Sequence, residues 1–320
     1  ISLPGGTLNL NADVTTASGG QTYNSSTATN LGGSLTINTS GAFTFTGAGA
    51  LTLTGNAGLT TPGGGSDDIT LNAVTADTDN THDLTLNAGA AGGVILNGDL
   101  GAVSTSLENF NVTANDFTIN TAGVEVFANN ISIASDSMAL DAAGTEQLKG
   151  SGALILKPRQ ISTTIGLAGG AGTFNLDASE LANITDGFAS ITIGSSTQTG
   201  NITANAHTFT DPVSIIQDTS GGGSITSAGH IQNSGGGISL TSGTAGISLG
   251  DSLTTTSGGI DINGAVTLSG GSTITTNTSG NLDFSSTVDG GQDLALAVAG
   301  TTTFNGSVGS TTDVGDGTGA

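Results

Sequence analysis

The feature that most constrains this chain is a short apolar–polar–apolar triplet that recurs along almost its whole length. Examples are Leu35-Thr36-Ile37, Phe43-Thr44-Phe45, Leu51-Thr52-Leu53, Ile69-Thr70-Leu71, Leu84-Thr85-Leu86, Ile191-Thr192-Ile193, Ile238-Ser239-Leu240 and Ile260-Asp261-Ile262. A triplet of this kind is a minimal β-strand with one buried face, because successive side chains point to opposite sides of a strand. In the middle of the chain the triplets Phe110/Val112, Phe117/Ile119, Val124/Val126, Ile131/Ile133 and Met138/Leu140 start seven residues apart. A helical heptad has the same period, but Asn, Thr, Gly, Ser and Asp fill the gaps, and these residues are poor in helix interiors and good in turns.

A longer period appears when every third triplet is compared. Ile225, Ile247 and Leu268, then Ile231, Leu253 and Ile274, then Ile238, Ile260 and Leu282, advance by 21 or 22 residues per step. That interval is a solenoid period, and three short strands per interval make a triangular coil with one strand on each face. Stacked coils then form three parallel sheets around an apolar lumen. The sequence therefore predicts an all-β parallel β-helix, or β-solenoid, with coils of about 21–22 residues. At the usual inter-strand spacing of about 4.8 Å, roughly 15 coils give a stack about 70 Å long. Such a stack is stable only as a whole, since each coil covers its neighbours.

Corners account for the 54 Gly and the many Asn. Phrases such as Leu71-Asn72, Leu86-Asn87, Leu96-Asn97, Ile119-Asn120 and Ile262-Asn263 place Asn where the chain must bend and where left-handed backbone is tolerated. Asn in successive coils can stack into a hydrogen-bonded ladder. The clusters Gly63 to Gly65, Gly221 to Gly223 and Gly235 to Gly237 read as further corners. The regular β-branched and Leu spacing, with only 9% charged residues, sets the chain apart from disordered acidic sequences.

Three segments depart from the rhythm of an otherwise single continuous solenoid over 1–320. Residues 62–68 and 77–83 read as surface loops, rich in Pro, Gly and Asp. Residues 141–160 read as an irregular insertion that holds all three basic residues, Lys149, Lys157 and Arg159. In a chain of net charge −22 these are candidate docking residues for an acidic surface on another copy, such as the tail bearing Asp313 and Asp316. The plainer reading is a short helical turn at Ala142 to Leu148 with surface ion pairs to nearby Asp.

Charge and composition exclude other classes. A net charge of −22 opposes nucleic acid and anionic membrane surfaces, and no run of apolar residues is long enough to span a bilayer. Without Cys there is no disulfide, thiol nucleophile or Cys-ligated zinc. His82, His207 and His230 lack metal-ligand spacing. No nucleophile elbow or phosphate loop occurs. Gly63 to Ile69 faintly resembles a glycine-aspartate calcium repeat but stands as one copy, so Ca²⁺ is a candidate ligand and no dedicated cofactor or metal site is expected. The chain is not expected to be an enzyme.

Val14-Thr15-Thr16-Ala17-Ser18-Gly19-Gly20-Gln21-Thr22-Tyr23-Asn24 resembles a phrase of the filamentous-haemagglutinin-like bacterial exoproteins, and residues 184–194 and 300–309 are similar to two more. The resemblance implies a right-handed β-helix exported to a bacterial surface, as an adhesin stalk or extracellular fibre. It covers roughly the first 55 residues and most of 174–320. Neither end of the sequence reads as a polar cap, and exposed solenoid edges invite pairing. The expected partners are therefore identical copies stacked head to tail, or flanking repeats. The alternative reading is an adhesin segment that binds a glycan or host protein through its loops; a polysaccharide-degrading enzyme on the same fold is a third.

Overall fold

The computed structural model describes the chain except residues 1, 4–5, 17, 26, 33–34, 39–40, 46–48, 66, 141–145, 221 and 316–320. It is an all-β structure of parallel strands stacked as a β-solenoid, with about 13 turns in all. Two compact units make it up: Ile1–Leu154 with Ala182–Thr185, and Ile155–Leu181 with Asp186–Ala320.

In the first unit the strands fall into three files. One runs through Gln21–Ser25, Phe43–Phe45, Ile69–Leu71 and Gly93–Leu96, with Thr22, Thr44, Thr70 and Ile95 in outward register. A second joins Thr7–Leu10, Ala28–Gly32, Leu51–Thr54 and Val74–Ala76, then continues through Leu100, Val126, Leu148 and Ile184. The third joins Leu35–Asn38, Ala57–Thr60 and Asp83–Asn87. The seven-residue rhythm becomes two long strands, Leu107–Ile119 and Val126–Ala139, which pair in register from Leu107↔Ala128 to Thr118↔Ala139. Three seven-residue steps make one 21-residue turn, so Phe110 lies against Ile131 and Phe117 against Met138, all buried.

In the second unit three parallel sheets supply one strand each per turn. The first contains Ser190–Gly194, Val213–Ile216, Ile238–Thr241, Ile260–Asn263, Leu282–Phe284 and Thr302–Phe304. Another contains Ile202–Ala204, Ile225–Ser227, Ile247–Leu249, Val266–Leu268 and Val288–Asp289. The last contains His207–Phe209, Ile231–Asn233, Leu253–Thr255, Ser272–Thr276 and Leu294–Val298. Two of the three long-period series read from sequence are the observed register. In the remaining one Ile247 pairs with Val266, and Leu268 pairs with Leu249. The slip is two residues, which keeps Leu268 inward because strand side chains alternate with period two.

Inward positions form the lumen: Leu53, Ile69, Phe110, Ile215, Leu240 and Ile262 have no exposed surface. Fewer turns than the expected 15 result from longer coils in the first unit. Phe43 pairs with Ile69, Ala57 with Leu84, and Leu84 with Phe110, steps of 26, 27 and 26 residues. The extra length leaves the strands at 61–65, 67–68, 77–82 and 101–106.

Corner chemistry differs from the expectation in one respect. Asn72, Asn87, Asn97, Asn120 and Asn263 keep negative φ, and Asn80 is the positive-φ Asn among the described residues. The corner amide of Asn120 acts through its side chain, Nδ2 donating to Asn97 Oδ1 (3.3 Å), and within the long strands Asn130 Nδ2 donates likewise to Asn109 Oδ1 (3.1 Å). Gly235 to Gly237 are required by close approach. A Cβ on Gly235 would collide with the Thr210 carbonyl oxygen, and one on Gly236 would lie 2.5 Å from Pro212 Cγ. The sole described helix, Ala178–Leu181, was not anticipated; Asp177 Oδ1 accepts from the Ser179 and Glu180 amides, and Glu180 accepts from the Asp177 amide.

Candidate functional site

Along each file an inward residue is buried because another coil lies on either side of it. Ile274, Phe284 and Val288 are such residues, with no exposed surface. Their partners one coil further on are Leu296, Phe304 and Val308. These three are inward by register yet 40%, 39% and 47% exposed. Phe304 stacks flat on Phe284, which is fully buried, with centroids 4.9 Å apart. Strands Leu294–Val298 and Thr302–Phe304 each pair on one side among the described residues. Among the described residues this coil therefore presents three partly exposed apolar side chains and two strands paired on one side. Its sequence reads as ordinary triplets, so the register rather than composition picks out these three residues.

The segment after this coil is tied back to it. Thr311 N donates to Asp289 Oδ1 (2.9 Å), and Gly315 N donates to the Gln292 carbonyl (2.9 Å). The Thr311 amide, outweighing the effect of burial, holds the Asp289 carboxyl below its usual range. Asp313 follows this anchor and is exposed; Asp316 lies outside the described residues.

The three basic residues are divided between the two units. Lys149 ends the strand Leu148–Lys149, where Leu148 is inward, and residues 142–145 of the expected helical turn lie outside the described residues. Its Nζ lies 2.8 Å from Glu125 Oε1, 3.8 Å from Glu146 Oε2 and 5.2 Å from the Phe127 ring centroid. The ion pairs are with Glu rather than Asp, and Glu125 comes from the preceding coil. Lys157 ends strand Ala153–Lys157 and Arg159 follows it, both half-buried. Lys149 belongs to the first unit, and Lys157, Arg159 and Asp313 to the second.

Near the expected loop at 62–68, Gly64 N donates to Asp67 Oδ2 (2.7 Å) and Gly93 N to Asp68 Oδ1 (2.7 Å), so Asp67 closes a local turn and Asp68 ties its coil to the next. No group of three His, Asp or Glu side chains converges among the described residues. His82 pairs with Asp77 (2.6 Å), and His230 bonds Thr254 and Gln232. His207 packs edge-on against Phe209, and burial pushes its pKa down.

Comparison with known proteins finds no matching family model, no matching curated protein and no matching solved structure. The class defined by the register is a parallel β-solenoid compatible with β-helix repeat proteins.

Proposed function

We propose that this chain is a structural segment of a secreted bacterial surface fibre or adhesin stalk, stacking end to end through the coil that carries Leu296, Phe304 and Val308. The carrying observation is that coil: Leu296, Phe304 and Val308 are inward by register but about two-fifths exposed. Full burial of a large aliphatic or aromatic side chain is worth about 1.5–3 kcal/mol, so covering the exposed fraction of all three contributes on the order of 2–4 kcal/mol. The edges of Leu294–Val298 and Thr302–Phe304, paired on one side among the described residues, add directional hydrogen bonding at the same joint. A further triangular coil meets both needs because it repeats the same three-file register. The phrases resembling filamentous-haemagglutinin-like exoproteins favour a place at the bacterial surface.

Sedimentation velocity over a concentration series tests this reading. The unaltered chain is expected to form larger species as concentration rises, and Leu296→Lys combined with Phe304→Lys to remain monomeric. Identical sedimentation of the two chains, with far-ultraviolet circular dichroism unchanged, overturns the proposal.

A further inference from the structure

Two of the extra-length segments in the first unit build a wall beside a flat sheet face. Residues 77–82 and 101–106 are stitched together: Ser106 N donates to Asp79 Oδ1 (2.9 Å), Asn80 N donates to the Ser106 carbonyl (3.0 Å), and Ser106 Oγ donates to Asn80 Oδ1 (2.9 Å). Thr75 and Thr105 hydroxyls join them to the coil (3.0 Å). The wall is thus held by its own hydrogen bonds. Beside it lie the outward residues of two successive coils, Phe127 and Asn129 on one and Lys149 and Ser151 on the next. Wall and floor enclose a groove of about 260 Å³.

The lining combines two apolar surfaces with a ring of polar groups. Phe127 is one of only two Phe that are not buried, and Val103 at the tip of the wall is 84% exposed. Gly101 occupies the outward position one coil before Phe127, so no side chain covers that flank of the ring. Around them Asn80, Asn129, Ser151 and Asp79 offer both donors and acceptors. Ser151 Oγ donates to Asn129 Oδ1 (2.8 Å) and Asn129 Nδ2 donates to Glu108 (3.3 Å), which fixes the amide's orientation. Lys149 is already paired with Glu125.

We infer that this groove is a binding site for a neutral oligosaccharide. A sugar ring has apolar C–H faces that pack against Phe127 and Val103, and an equatorial rim of hydroxyls that both donate and accept, as the amides and hydroxyls here require. Acidic glycans are disfavoured: Asp79, Glu108 and Glu125 outnumber the one paired lysine. The site is independent of the stacking reading, since it uses only first-unit residues.

The test is an array of short neutral oligosaccharides of glucose, galactose, mannose and N-acetylglucosamine beside a panel of uronic and sulfated ones. Hits are titrated by NMR on the unaltered chain and on the double Leu296/Phe304 variant. Binding to neutral members is expected, with shifts at the Asn80 and Asn129 side-chain amides. Asn129→Ala, and Val103→Arg at the exposed tip where folding is untouched, should each weaken it by about tenfold, equivalent to about 1.4 kcal/mol. Absence of binding to any neutral member at millimolar concentration, binding confined to the acidic panel, or binding indifferent to Val103→Arg overturns the assignment. Loss of stacking in the double variant with sugar binding retained separates the two proposals.

Discussion

Truncating one file at two depths measures how much each layer depends on its neighbour. Ile274 and Leu296 are register partners in the same sheet, one buried completely and the other 40% exposed. Ile274→Ala leaves a cavity between two coils that cannot collapse independently, and such truncations cost about 2–5 kcal/mol. Leu296→Ala removes a side chain that solvent already reaches. It loses roughly three-fifths of a 1.5–3 kcal/mol burial term, about 1–2 kcal/mol, with little cavity contribution. Fraying of the last coil reduces its effect on the global transition further. Urea unfolding of dilute protein, followed by far-ultraviolet circular dichroism, should therefore show a midpoint loss at least about twice as large for Ile274→Ala, at similar m-values. On the proposed stacking, the Leu296→Ala penalty should grow at high protein concentration, because a second copy would then cover that position. Equal losses at the two positions in dilute solution would refute the layered account.

Four further outcomes follow from individual contacts. Gln147 is fully buried and neither side-chain polar atom finds a partner among the described residues, so Gln147→Met should raise the urea midpoint by about 1–3 kcal/mol equivalent; a fall would show that the amide is satisfied. Gly235→Ala forces a Cβ into the Thr210 carbonyl and should cost about 1–3 kcal/mol, whereas Gly271→Ala, with nothing within 4 Å, should be neutral or stabilising; matched losses contradict the close-approach reading. The Ser106 hydroxyl, then its amide, holds the Asp79 carboxyl below the usual range, so this tie between the loops is present above the unfolded aspartate value and is lost as pH falls through the lower folded value. The Ser106 amide resonance should titrate with a midpoint below that of an unperturbed aspartate; a midpoint at or above it removes the tie. Finally, copies of charge −22 repel, so stacking through apolar residues should strengthen with added salt, while docking of Lys157 and Arg159 on Asp313 should weaken. Sedimentation at low and high ionic strength, with Lys157→Glu as comparison, separates the two.

Much of this architecture was legible because the lumen imposes parity. Ile231, Leu253 and Ile274 could be aligned by eye, since inward residues must be apolar and must alternate. Phase along the strand is less constrained: the turn from Ile247 to Val266 is 19 residues, and the chain shortens its corner while Leu268 stays inward. Charge position was visible, but charge partnership was not. Lys149 stands out in the sequence, yet the Glu125 that neutralises it is 24 residues away and becomes a neighbour only through the coil period. Phe127 carried a readable signal, following inward Val126 and therefore pointing out, but its value depends on a wall made by two loops distant in sequence. An uncovered edge was expected from the sequence, but the residues facing it were not legible, because Leu294 to Phe304 is composed like any earlier turn and only the register picks out Leu296, Phe304 and Val308.

Cryo-electron microscopy of the concentrated chain tests the central claim most directly. The expected images show particles extended by end-on joining, with the inter-strand spacing of about 4.8 Å continuing across each joint and Leu296, Phe304 and Val308 buried there. Discrete particles that never join at any concentration, with these three residues still open to solvent, would contradict it.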